Sequence, residues 1–275
     1  MKYILFMLMF LCTCIYAGDL KLNDNAMTVS SGGLAETFLY RTIAGANVLF
    51  ASTTTVTITD GYGMCKDRRW KVTSDVTDTV DTFDNGGFTY CYIDYSAIAD
   101  GETLEASDII WSATEPAQNA TYGNAWMNGD DRCIGALYCN GAATIAQYVS
   151  AMDNGDLCML YTAWFSIASD MNPDGTWQTP DDSESSVYLP VNATEALLYL
   201  ATDDIDSTTK LYATNYNNAL GSSIAQESQA YTLGGTYLRE TRWIILDSTR
   251  NVRIAAENND DNKLNCAIRG YKIER

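Results

Sequence analysis

Short β-branched and aromatic runs, each closed by turn residues, recur along the whole chain, and they constrain its fold more than any other feature. Thr53 to Thr59 alternates threonine with Val56 and Ile58 and breaks at Asp60-Gly61. Phe88 to Ile93 follows the turn residues Asp84 to Gly87, and Leu157 to Ala168 follows Asp153 to Gly155. Each is a strand pattern bounded by turn chemistry. Helical periodicity is hard to find. Ala143 to Met152 is the best short candidate, and it reads equally well as a strand.

The C-terminal stretch carries the clearest pattern. Trp243 to Leu246 forms one apolar run, and Val252, Ile254 and Ala256 mark the inner face of the next. After the polar loop Glu257 to Asn262, Leu264, Cys266 and Ile268 alternate inward against Asn265, Ala267 and Arg269. Tyr271 and Ile273 then take over the apolar role, so the phase slips at Gly270 and predicts a bulge there. Many short strands separated by turns predict an all-β, antiparallel sandwich of jelly-roll type, not a βαβ fold. The polar stretch Asp170 to Ser186 separates two strand-rich parts. It predicts two β domains in tandem, 18–170 and 171–275.

Residues 1–17 read as a secretory signal peptide: Lys2, an apolar run from Tyr3 to Tyr16, and the small Ala17 before Gly18-Asp19. A retained anchor is the alternative, although the run is shorter than the ~20 residues a membrane helix needs. Export predicts an extracellular protein, at a virion or cell surface, with no membrane span after cleavage. Cleavage removes Cys12 and Cys14 and leaves Cys65, Cys91, Cys133, Cys139, Cys158 and Cys266, an even set that predicts up to three disulfides. Cys133 and Cys139 lie on one predicted strand, ~20 Å apart at ~3.3 Å per residue. A disulfide needs Cα atoms within ~7 Å, so each is expected to pair elsewhere.

The chain holds 35 acidic against 17 basic side chains, a net charge of −18. A chain so acidic is repelled by phosphate backbones, which argues against nucleic acid as a partner. It contains no histidine, and this removes Ser-His-Asp and Cys-His catalysis and imidazole acid–base chemistry together. Carboxylate-pair chemistry of the glycosidase kind survives, but no pair of acids stands out. The expectation is a non-enzymatic protein.

Asp170 to Asp181 matches the spacing of a calcium loop. Oxygen donors fall at Asp170, Asn172 and Asp174, glycine at Gly175, a carbonyl at Thr176, and a closing carboxylate at Asp181. A polar surface turn explains the same residues. Ca2+ is therefore a candidate ligand and no other cofactor is indicated. Asn119-Ala-Thr121 and Asn192-Ala-Thr194 are glycosylation sequons. Trp70, Trp126 and Trp177 sit beside charged or glycine-containing turns and are the expected exposed aromatics of a sugar-stacking surface.

Ile109 to Pro116, Gly123 to Met127, Asp131 to Tyr138 and the turn Asn140-Gly141 follow one another with a particular spacing. This cadence resembles the β-rich distal domains of bacteriophage tail and head fibres. Ala267 to Tyr271 resembles the closing strand of such domains, and Gly45 to Tyr95 their early strands. The resemblance implies an attachment component that is a homo-oligomer, a trimer or another multivalent form, binding a surface ligand such as a glycan. It supplies no catalytic residues. The alternatives are a secreted adhesin or filament subunit and, third, a glycan hydrolase using two carboxylates.

Overall fold

The computed structural model describes residues 21–23, 26–28, 43–141, 143–153, 156–171, 178–180, 184–203, 209–215, 231–233, 237–256 and 263–275. The expected signal segment lies outside them. The fold is all-β, and no described helix is long and apolar enough to cross a membrane.

In chain order the first strands are β1 (Lys21–Asn23), β2 (Ala26–Thr28), β3 (Ala44–Gly45), β4 (Val48–Ser52), β5 (Thr55–Ile58), β6 (Gly61–Cys65), β7 (Arg68–Val72) and β8 (Val76–Thr79). The middle strands are β9 (Phe88–Ile93), β10 (Glu102–Thr103), β11 (Ile109–Ser112), β12 (Ala117–Asn119), β13 (Ala125–Asn128) and β14 (Asp131–Tyr138). Then come β15 (Tyr148–Asp153), β16 (Asp156–Met171), β17 (Ala193–Asp203), β18 (Thr209–Asn215), β19 (Tyr231–Leu233), β20 (Tyr237–Ile245), β21 (Val252–Ala256) and β22 (Lys263–Ile273).

Two five-stranded sheets form the sandwich. The central sheet has the order β11-β9-β14-β13-β12, and the outer sheet the order β15-β16-β22-β17-β20. All their pairings are antiparallel. Rings from both sheets meet between them: Phe88 and Tyr271 at 5.8 Å, Tyr138 and Tyr161 at 6.3 Å. The Tyr271 hydroxyl donates to the Ala136 carbonyl at 2.6 Å and fastens one sheet to the other.

A covering layer closes the far face of the central sheet. It consists of β4-β5-β8 and β10-β7-β6-β3, the β10–β7 pair being parallel. A Cβ on Gly135 would lie 2.9 Å from Val48 Cγ2, which shows how closely β4 rides on β14. The Trp111 indole donates to Asp78 of β8 at 2.7 Å. Every residue of β9 is buried as a result. The hydrophobic core runs as one cluster from Ile43 to Ile273. The expected boundary at 170/171 falls at the end of β16, whose partner is β22, so the stretches on either side of it share this core.

The bulge expected at Gly270 is present. Leu197 and Leu198 of β17 face Gly270 and Ile268 in succession, leaving Arg269 as the extra residue. A Cβ at Gly270 would sit 2.3 Å from the Met159 carbonyl, so only glycine fits that approach. Across the other edge of β22, Leu160 pairs with Gly270 and Phe165 with Ile268, so Tyr161 to Trp164 arch out of register.

The disulfide expectation is corrected: no disulfide joins the six described cysteines, and all of them are buried. Five lie on strands and Cys139 on an isolated bridge, and several of the thiols meet backbone oxygens or a hydroxyl. The Cys65 thiol lies 3.2 Å from the Asp130 carbonyl and that of Cys139 3.4 Å from the Thr89 hydroxyl. Burial pushes the Cys65 and Cys133 thiols up to about 12, so both stay protonated and unreactive at neutral pH.

Candidate functional site

The outer sheet has one face on the core and one in water, so its strands alternate. In β17, Ala196, Leu198 and Leu200 point inward and are at most 2% exposed, while Glu195, Leu197 and Tyr199 face outward. The outward residues of its neighbours build a continuous aromatic and cationic surface, which is the candidate site.

At one end stands Trp164, half exposed at 50%. It lies in the arch that the bulged register of β16 creates, which lifts its ring over β22. Ala267, which pairs with Tyr199 of β17, is small and buried. The two ring centroids are 3.9 Å apart at 49°. Arg269, the extra residue of the β22 bulge, sets its guanidinium 4.7 Å from the same Trp164 ring. Cation–π contacts of this kind contribute ~0.5–1 kcal/mol at an exposed site and hold both groups in place.

The second half of the surface repeats this chemistry on the next strand. Trp243 of β20 pairs with Leu197, and Ile245 pairs with Glu195. Lys272 lies 4.7 Å from the Trp243 ring and 3.2 Å from the Glu195 carboxylate. Trp243 and Ile245 remain 37% and 71% exposed, the latter the most exposed large apolar side chain among the described residues. The surface therefore offers two tryptophans, a tyrosine and the part-exposed Arg269, while Lys272 is buried and paired with Glu195.

The residues expected from sequence are placed elsewhere. Trp70 is 1% exposed, packed against Gly63, which corrects its reading as an exposed aromatic. Trp126 is half-buried, and its indole donates to Glu274 at 3.1 Å. Trp177 lies outside the described residues. Asp170 is exposed at the end of β16 with a left-handed backbone, φ 55°, and its N–H donates to Asn265 at 3.0 Å. The other calcium-loop candidates, Asn172, Asp174, Thr176 and Asp181, lie outside the described residues. Of the two sequons, Asn192 is fully buried with its amide on the Glu274 carbonyl, and the fold blocks its glycosylation. Asn119 is partly exposed and caps a 3-10 turn through Thr121 N–H. A separate shallow depression is lined by Asp84, Phe88, Tyr90, Glu115, Val187 and Arg250. There Glu115 is 3.9 Å from Arg250, which also donates to the Leu189 carbonyl.

Sequence reasoning missed Trp164 and Trp243 because both sit inside apolar runs that read as core. Arg269 was legible as an outward residue, since it alternates against the inward Leu264, Cys266 and Ile268. None of the known family models matches the chain, nor does any curated protein sequence.

Proposed function

We propose that this is a non-enzymatic, extracellular recognition protein of fibre-domain type that holds a surface glycan against the outward face of the β16-β22-β17-β20 sheet. The observation that carries the reading is the half-exposed Trp164, in contact with Tyr199 and flanked by Arg269. Sugars present apolar C–H faces that stack on aromatic rings, while their hydroxyl and carboxylate oxygens accept hydrogen bonds from cations at the rim. The Arg269 guanidinium on this face of a chain of net charge −18 favours an anionic saccharide. An open face of this kind binds each sugar weakly, and several copies in one particle sum such contacts into useful affinity.

The test is a glycan microarray probed with the labelled, purified chain. The expected result is selective binding to uronic- or sialic-acid-containing saccharides, reduced at least ~10-fold by Trp164→Ala. Binding that ignores Trp164, or no saccharide binding in multivalent format, overturns the reading.

A further inference from the structure

The depression around Arg250 has a volume of about 270 Å³. It is formed by the turn before β9, the loop after β11, the 3-10 turn Ser185–Tyr188 and the turn that follows β20. That size lies just below the ~300–1,000 Å³ usual for small-molecule sites, enough for one small ring and not for a chain. Arg250 itself stands in the left-handed backbone region, φ 58°, where a residue with a side chain is strained and glycine is at ease. Three hydrogen bonds hold it there. Its N–H donates to the Asp247 carbonyl at 3.0 Å, its carbonyl accepts from the buried Ser185 hydroxyl at 3.0 Å, and its Nη1 donates to the Leu189 carbonyl at 2.8 Å. Its Nε–H is buried and makes no hydrogen bond. Backbone strain kept in place by its surroundings marks a group positioned for use.

Two carboxylates share the depression. That of Asp84 lies against Gly87, in space that a Cβ there would fill. Glu115 Oε1 is 3.9 Å from Arg250 Nη1, too far for a hydrogen bond. One hydroxyl oxygen set between them accepts from the guanidinium and donates to the carboxylate. An anion entering here meets two carboxylates, and a cation meets the guanidinium. A neutral ligand rich in hydroxyls answers both signs. Phe88 and the exposed Val187 add apolar wall for the C–H face of a sugar ring.

We propose that this depression binds one neutral monosaccharide unit through hydroxyl hydrogen bonds to Arg250, Glu115 and Asp84. It shares no residue with the Trp164 surface and stands independently of what that surface binds.

The test is saturation-transfer NMR on the full chain, wild type and Trp164→Ala, titrated to millimolar concentration with the methyl glycosides of glucose, galactose and mannose and with methyl glucuronide. Saturable binding of at least one neutral glycoside is expected, unchanged by Trp164→Ala, with the glucuronide weaker in the Trp164→Ala chain. Glu115→Ala, at a 58%-exposed side chain, and Arg250→Gly, which relieves the left-handed backbone, are each expected to weaken it roughly 10-fold. A thermal midpoint near that of wild type shows that each variant is folded. The proposal is overturned if no neutral glycoside saturates the chain, if the glucuronide binds the Trp164→Ala chain as tightly, or if folded Glu115→Ala and Arg250→Gly bind like wild type. Neutral-sugar binding lost with Trp164→Ala would place the ligand on the outer face and overturn it too.

Discussion

The central and outer sheets have the same number of strands and the same antiparallel pairing, yet one is buried on both faces and the other on one. In the central sheet Phe88, Tyr90 and Tyr92 pack toward the outer sheet, while Thr89, Cys91 and Ile93 pack toward the covering layer, and all are buried. In the outer sheet Glu195, Leu197 and Tyr199 of β17 reach solvent between the buried Ala196, Leu198 and Leu200. The lesson is a division of labour. The doubly covered sheet supplies apolar burial, at ~25 cal/mol per Å². The singly covered sheet keeps large rings in water, which contributes little to stability unless something binds them.

That division is broken most forcefully at Tyr271. Its ring is fully buried between the sheets and its hydroxyl holds Ala136. Tyr271→Ala is expected to cost about 3–5 kcal/mol in urea unfolding, against less than ~1 kcal/mol for Trp164→Ala on the exposed face. Equal losses would mean that the outward aromatics are structural.

Gly270 sharpens the comparison, because its bulge is the hinge between the two uses of β22. A methyl group there meets the Met159 carbonyl, so Gly270→Ala is expected to cost about 2 kcal/mol. It should also shift Arg269, and with it the near-ultraviolet circular dichroism of Trp164. A silent substitution would show that β16 and β22 can part without consequence.

The smallest effect isolates the covering layer. Arg69 beside Asp100, at 2.6 Å, holds the Asp100 carboxyl down at about 2. A lowered carboxylate contributes stability that is fully present above its unfolded value near 4 and is lost as pH falls through 2. Both side chains are largely exposed, so screening limits the gain to below ~1 kcal/mol. Asp100→Asn should therefore flatten the stability loss between pH 4 and 2 by that amount, measured by thermal melts across the range.

Much of the fold was legible in the residues. Phe88 to Ile93 is a strand with the bounds its turn residues implied, and the apolar phase slip located the Gly270 bulge from sequence alone. These are local signals, carried by alternation and turn chemistry. What failed was non-local. Trp70 looked exposed because its sequence neighbours are charged, yet the close approach of Gly63 buries it. The even cysteine count implied bridges, but pairing depends on which strands face each other, and the Cys65 and Cys139 thiols face a backbone carbonyl and a threonine hydroxyl instead. Trp164 was hidden because its exposure comes from a register shift between β16 and β22 that no run of hydrophobicity encodes.

The most direct test of the division of labour is a paired measurement on Trp164→Ala/Trp243→Ala: its thermal midpoint, and its calorimetric titration with an acidic saccharide that binds the wild type. The account predicts an unfolding midpoint within a few degrees of wild type and loss of detectable saccharide binding. Retained binding, or collapse of the fold, would contradict it.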